Sequence, residues 1–324
     1  MLDSVIMSIV DGNKYSYMRN ENPAAEALEN KLASIYGAQQ VMITSCGMEA
    51  ITMMFDFLLP GSGKIIIDQN TYYETRQWIS MYTSHKMKLA DMQNMDELEQ
   101  ACEGANIVYL DSPDMFGRDY DISQIAAIAH RHNALLAVDN SIVSIYYQNP
   151  LELGADIVVE SYSKYVTGHG DVMAGCIAFK KLSAEQASSL KIFAGRRGRS
   201  LSPFAIYMIK RGLETLEVRM ERHTQTAMLL YHRLRHANVE TWYAGRGGIL
   251  ILPGMTKNLC QKLKVFKCLP TFGTTYSTCG YVRSADLYNQ IGNYVRLSCG
   301  LEKPILLMQD LEQALGVDLG GSYA

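Results

Sequence analysis

Along this chain, short unbroken apolar runs that stop at a polar or acidic residue alternate with longer stretches whose apolar positions recur at helical spacing. Val41-Met42-Ile43-Thr44, Ile65-Ile66-Ile67 before Asp68, Ile107 to Leu110 before Asp111, Ala134 to Val138 before Asp139, and Ile157-Val158-Val159 read as strands. Helices are predicted from Ala24 to Tyr36, behind the turn Asn22-Pro23 and with Leu28, Leu32 and Ile35 on one face, from Ser45 to about Leu59, and from Ile122 to Asn133. Apolar strands alternating with helices predict an α/β fold with a mainly parallel sheet covered on both faces. From Pro203 the pattern turns helical as far as His236. It then gives strand-like Gly248 to Leu252, a Gly/Thr-rich loop around Gly273, another strand at Tyr294 to Ser298, and a closing helix from Ile305 to Leu315.

The 324 residues, 48% of them hydrophobic, are enough for one large α/β domain or two smaller ones. A formal net charge of −3 gives no general electrostatic case for nucleic acid, and the basic cluster Arg196, Arg197 and Arg199 reads as a solvated loop or an interface patch. No apolar run approaches the roughly 20 residues of a membrane span, and Met1 to Asp11 lacks the pattern of a signal peptide, so a cytoplasmic location is expected. Seven scattered cysteines without a Cys-x-x-Cys pair suggest reduced thiols and no structural zinc. His232 and His236 have metal-compatible spacing, but basic neighbours favour a solvated helix face, and no metal is expected.

The chemistry concentrates around Ser161-Tyr162-Ser163-Lys164, which follows a β-branched run and precedes Gly168-His169-Gly170. Two hydroxyls can hold a phosphate, and a desolvated lysine becomes a neutral amine able to attack an aldehyde. Taken alone, such a string is more often a surface turn. Gly47, at the start of a helix, would expose free N–H groups and the positive dipole end, a second phosphate site. Asp139 ends a buried strand, where a carboxylate needs a cationic partner such as Lys164, although a turn-capping aspartate also fits. Tyr72 and Tyr73 follow another strand end and could cover an aromatic ligand or simply pack on the next helix. Tyr17 and Arg19 could project as an anion-binding pair.

The order of these motifs resembles the Cys/Met-metabolism family of pyridoxal 5′-phosphate enzymes, the group of cystathionine γ-synthase, cystathionine β- and γ-lyases and methionine γ-lyase. Tyr17-Met18-Arg19, Cys46-Gly47-Met48, Asp139-Asn140, Ser161-Tyr162-Ser163-Lys164, Arg211-Gly212-Leu213 with Arg219, and Arg296-Leu297-Ser298 carry it, in family order. The resemblance implies an aspartate aminotransferase-type (fold type I) architecture with an N-terminal arm at 1–22, a large cofactor domain at 23–205, and a linking helix with a small α/β domain at 206–324. It implies that Lys164 holds the cofactor and shuttles protons, and that Asp139 pairs with the ring nitrogen. Cys46, Gly47, Met48, Ser161 and Ser163 would cradle the phosphate. Tyr17 and Arg19 would reach the phosphate of a neighbouring subunit, which requires a homodimer at least and suggests a homotetramer. Arg296 would clamp the substrate carboxylate. Tyr72, or Tyr73 in an alternative register, would stack on the ring and act as an acid or base, a role that needs positive charge nearby to lower its pKa.

The chain departs from the family in four places. The loop expected to carry an asparagine near the ring hydroxyl reads Ser112-Pro113-Asp114-Met115, and Pro270-Thr271-Phe272 stands where glutamate, tyrosine or valine, then serine and leucine, are usual in the family. The chain is also shorter in the arm and before Gly247. Thr271 and Glu74 are then candidate substrate contacts, with Glu21 or Glu74 replacing the missing polar group. The expected activity is β- or γ-elimination on a small L-amino acid carrying sulfur or another leaving group. A γ-replacement synthase and a non-catalytic cofactor-binding relative are the alternatives.

Overall fold

A computed structural model describes residues 15, 17–20, 22–283 and 292–320; Glu21 and most of the arm lie outside the described residues. Strands β1 (Gln40–Thr44), β2 (Lys64–Asp68), β3 (Lys86–Ala90), β4 (Ile107–Asp111), β5 (Leu135–Asp139), β6 (Ile157–Glu160) and β7 (Gly175–Phe179) form one sheet in the order β1-β7-β6-β5-β4-β2-β3. Neighbours from β6 to β3 are parallel, and only β7 runs against both of its partners. This is the mainly parallel α/β sheet that the apolar runs predict, and it agrees with the fold type I architecture that the resemblance implies. The helices are α1 (Pro23–Tyr36), α2 (Gly47–Leu58), α3 (Tyr73–Tyr82), α4 (Met95–Ala101), α5 (Ile122–Arg131), α6 (Ser144–Tyr147), α7 (Ala184–Arg196), α8 (Pro203–Glu214), α9 (Leu216–His236), α10 (Lys257–Lys262) and α11 (Pro304–Leu315).

Alternation along each strand sends side chains to opposite faces. Ile65 and Ile67 join Met54, Phe55 and Leu190 of α2 and α7, while Ile66 joins Leu98 of α4 and Ile125 of α5 on the other side. Burying each such side chain contributes about 1.5–3 kcal/mol. At the β1 edge, α1 and α8 share a third cluster through Leu28, Leu32, Ile206 and Ile209. Asn22 caps α1 by accepting from Ala24 N–H at 2.9 Å, with Pro23 in the first turn, where a missing N–H costs nothing.

The helical pattern after Pro203 is not one element: it breaks at Thr215, between α8 and α9. Buried Arg219 reaches back to donate to Thr215 Oγ1 at 3.0 Å and to Gly212 O at 2.7 Å. The ladder is interrupted by a side chain, which local periodicity does not register. Beyond α9, strands β8 (Ile249–Pro253), β9 (Lys267–Cys268), β10 (Thr278–Val282) and β11 (Tyr294–Ser298) make a second sheet in the order β8-β11-β10-β9. Leu230, Leu250, Leu297 and Leu311 fill the core between this sheet, α9 and α11. His232 and His236 are exposed, and among the described residues no helix is long and apolar enough to cross a membrane.

Candidate active site

Strands β4 and β5 end on Asp111 and Asp139, and β6 leads through Glu160 into Ser161. Parallel strands point their carboxyl ends the same way, so these residues gather at one edge of the sheet. A cavity of about 670 Å³ opens there, lined on its other side by Pro270, Thr271 and Phe272 of the loop between β9 and β10. Its walls include Cys46, Gly47, Met48, Tyr72, Asp139, Ser161, Ser163, Lys164, Thr271 and Arg296. Tyr17, Arg19 and Glu74 are not brought to it. Tyr17 is exposed, Arg19 donates to the carbonyl of Gly195 beside a separate small cavity, and Glu74 accepts from the neighbouring Tyr73 hydroxyl.

Lys164 sits in a turn fixed from behind. Arg219 donates to the carbonyls of Tyr165 at 2.6 Å and Val166 at 3.1 Å, charge-assisted bonds that hold the loop. Gly168 has a φ of +70°, and a Cβ there would fall 2.0 Å from Arg219 Nη1, so this position accepts only glycine. The Lys164 ammonium is pushed down to about 8, chiefly by burial and then by the Arg296 guanidinium, against the pull of Asp139. Its Nζ lies 3.4 Å from Thr271 Oγ1 and 4.8 Å from the centre of the Phe272 ring. Arg296, itself buried, donates to Thr271 O at 3.2 Å and lies 5.3 Å from the same ring.

Asp139 accepts from Ser141 N–H at 2.9 Å, and the Tyr109 hydroxyl lies 3.4 Å from it. Burial raises its pKa; bonds from Ser141 and Tyr109 and the charge of Lys164 work the other way. Asp111, which the sequence reading passed over, lines the same cavity and is driven well above the carboxylate range by burial and by Asp139. Its signal was the one that drew attention to Asp139, an acid closing a buried strand.

Across the cavity, Gly47 opens α2 so close to Ser161 that a Cβ would meet Ser161 Cβ at 2.8 Å. The free amides of that helix and the Ser161 hydroxyl thus share one small cradle. Ser163 is differently occupied: its hydroxyl donates to Ala174 O at 3.1 Å and accepts from Ala174 N–H at 2.9 Å. Cys46 caps α2, its sulfur accepting from Glu49 N–H at 3.3 Å. Between the two tyrosines the geometry discriminates, since Tyr72 lines the cavity and Tyr73 does not. The Tyr72 phenol is pushed up, not down: burial and Glu74 outweigh the opposing charge of Arg296. In the 112–115 loop, Asp114 turns away to an ion pair with Arg118 at 2.8 Å and leaves Met115 on the cavity wall.

A sheet of this topology, with a desolvated lysine, a buried carboxylate and a helix N-terminus around one cavity at its carboxyl edge, belongs to the fold type I class of pyridoxal-phosphate proteins. Within that class, residues 4–245 match the model of the Cys/Met metabolism PLP-dependent enzymes, and the chain is a member of that family. It is 34% identical over 236 residues to an L-methionine gamma-lyase of Fusobacterium nucleatum subsp. polymorphum, covering 71% of this chain and 60% of that protein. It is 33% identical over 243 residues to an O-succinylhomoserine sulfhydrylase of Pseudomonas aeruginosa, covering 73% of this chain and 59% of that one. The chain thus spans about 60% of the length of these curated relatives. The crystal structure of metB from Corynebacterium glutamicum superposes with a TM-score of 0.88 at 26% identity, over 97% of this chain and 91% of that chain.

The donor set fits pyridoxal 5′-phosphate. The cradle at Gly47 and Ser161 matches a phosphate, the Lys164 amine an aldehyde, and Asp139 a ring nitrogen. Two buried polar atoms on the cavity residues, Asp111 Oδ1 and Arg296 Nε, have no hydrogen-bond partner among the described residues. A polar ligand would satisfy them.

Proposed function

We propose that this chain is a pyridoxal-phosphate-dependent lyase that eliminates a leaving group, typically bound through sulfur, from Cβ or Cγ of a small L-amino acid. The observation that carries this is the Lys164 amine, held near neutrality within reach of Thr271 and close to the buried Arg296. When bound, the cofactor supplies an electron sink for charge developing at the substrate α-carbon. Gly47, Met48, Ser161 and, once it releases Ala174, Ser163 hold its phosphate, beside Cys46. Asp139 would supply the negative charge that pairs with the cofactor's ring nitrogen. Arg296 orients the substrate carboxylate by a bidentate pair. With the cofactor bound, Lys164 would be placed to take the substrate α-proton, and the protonated Tyr72 phenol would give a proton to the departing group.

Pro270, Phe272 and Met115 make the wall around Thr271 apolar, which supports a small or apolar substrate. Glu74 reaches a distal substrate group only if Tyr73 releases it. Tyr17 and Arg19 lie away from their own cavity, which agrees with service to a neighbouring subunit in a homodimer or homotetramer. The division at 205/206 and a cytoplasmic, reducing location, in keeping with free thiols at all seven cysteines, belong to the same reading.

Incubation with a panel of sulfur-bearing and halogenated amino acids should release ammonia, a keto acid and the leaving group. The similarity to a sulfhydrylase favours a second reading, γ-replacement, in which added thiol is consumed without ammonia. Borohydride should fix the cofactor to Lys164; attachment at another lysine of the wild-type protein refutes the assignment.

A further inference from the structure

The second sheet brings together three cysteines that are scattered in sequence. Cys260 lies on α10 and Cys279 on β10, both buried, while Cys268 ends β9 and is exposed. Strands β9 and β10 run parallel with Cys268 and Cys279 in direct register, so these two side chains share a face. Helix α10 adds the third sulfur, and all three Sγ atoms lie within 4.8 Å of one another. Among the described residues no other group of three histidine, cysteine or acidic side chains converges this closely. None of the three lines the Lys164 cavity.

Buried cysteines alone would be small apolar fillers. Here an exposed cysteine caps two buried ones, so the cluster has an entrance and an open side. Zinc–sulfur bonds of about 2.3 Å at tetrahedral angles require sulfurs about 3.8 Å apart, a contraction of about 1 Å that side-chain rotation can supply. Thiolates are soft ligands and select soft cations over magnesium or calcium.

We propose that Cys260, Cys268 and Cys279 form a metal site for a soft d¹⁰ cation, zinc(II) or copper(I), with the remaining coordination position open to solvent on the Cys268 side. Binding exchanges the protons of the three thiols for one cation, so it strengthens as pH rises. The site would tie β9 to β10 next to the segment that continues into Pro270 and Thr271, where Leu269 N–H donates to Cys279 O at 3.0 Å.

The test uses the full-length, cofactor-loaded protein, reduced and freed of metal, titrated with cadmium(II) as a spectroscopic probe. A thiolate-to-cadmium charge-transfer band saturating at one cation per chain is expected, displaced by zinc(II) or, anaerobically, by copper(I), whichever is the resident class. Cys268→Ser alters an exposed side chain and should keep the cofactor absorbance while weakening cadmium binding more than about a hundredfold, beyond the loss typical of removing an outer-shell partner. Cys279→Ser, checked for folding by circular dichroism, should do the same. Absence of the band, binding unchanged in Cys268→Ser, or failure of both metals to compete overturns the proposal.

Discussion

Asp111 and Asp139 end adjacent parallel strands in direct register, so two buried carboxylates stand side by side at the floor of the cavity. Two like charges at this spacing and burial do not both persist. Asp139 has the Ser141 N–H and the Lys164 charge in its favour, while Asp111 has the larger upward push, so the pair carries its charge on Asp139 and its proton on Asp111. Asp139→Asn should therefore lower kcat roughly 10²–10³-fold, the scale for losing one preorganised electrostatic group. Asp111→Asn, which replaces an uncharged acid and keeps an acceptor for Tyr72 N–H, now bonded to Asp111 Oδ2 at 2.9 Å, should cost no more than about tenfold. Ammonia release by both variants, each with cofactor bound, checks the contrast; equal losses would contradict this distribution of charge.

The depressed Lys164 pKa has a signature in cofactor uptake. Attack on an aldehyde needs the neutral amine, so the rate at which cofactor-free protein attaches pyridoxal phosphate should rise with pH and level off above about 8. Arg296→Met removes the second cause of the depression and should move the midpoint upward, toward the ordinary 10.5. In the unfolded chain the amine keeps its proton to higher pH, so this group also makes stability rise with pH between about 8 and 10.5. Absorbance kinetics of reconstitution across pH measure the first effect, and a midpoint unmoved in Arg296→Met would show that the guanidinium does not act on the amine.

The parallel sheet was legible because its strands are continuous apolar runs ending in polar residues, a local signal. The same signal located Asp139, yet the pairing with Asp111 is a matter of register between strands and left no mark in either segment. Strand β3, with Lys86, Met87, Lys88 and Leu89 largely exposed at the sheet edge, has too little burial to produce a readable run. The break at Thr215 depends on Arg219 reaching back, and the state of Lys164 depends on Arg296 from the other sheet. Reasoning from cysteine spacing set metal aside, since convergence of Cys260, Cys268 and Cys279 arises only when α10 packs on two strands.

Beneath the site, buried Glu160 accepts from the Tyr36 hydroxyl at 2.6 Å, and desolvation pushes its carboxyl up to about 8. The folded state then holds a proton that the unfolded chain releases near 4.5. Stability from this group is complete below about 4.5 and is lost as pH rises through 8. Glu160→Gln keeps an acceptor for Tyr36 without the ionisation. Urea unfolding of both proteins should show a wild-type stability that falls, relative to Glu160→Gln, by on the order of 3 kcal/mol between pH 5 and pH 8.5. Parallel pH profiles would place the titration elsewhere.

Tyr72 and Tyr73 are edge-to-face neighbours with ring centres 5.1 Å apart, and their substitution separates cavity chemistry from packing. Tyr72 lines the cavity with its phenol held protonated, whereas the Tyr73 hydroxyl bonds chiefly to Glu74 and also to the Tyr72 phenol. A protonated phenol at the cavity can donate to a leaving group and is a poor base. Tyr72→Phe should lower kcat about 10²-fold, the lower end for a general acid, and the loss should shrink for substrates whose leaving group departs without a proton, such as halide. Tyr73→Phe should leave kcat within about threefold and free Glu74 toward the cavity, changing KM for substrates with a distal ammonium. Steady-state kinetics on a thiol-leaving and a halide-leaving amino acid decide the assignment, and a larger effect at Tyr73 would transfer the acid role to it.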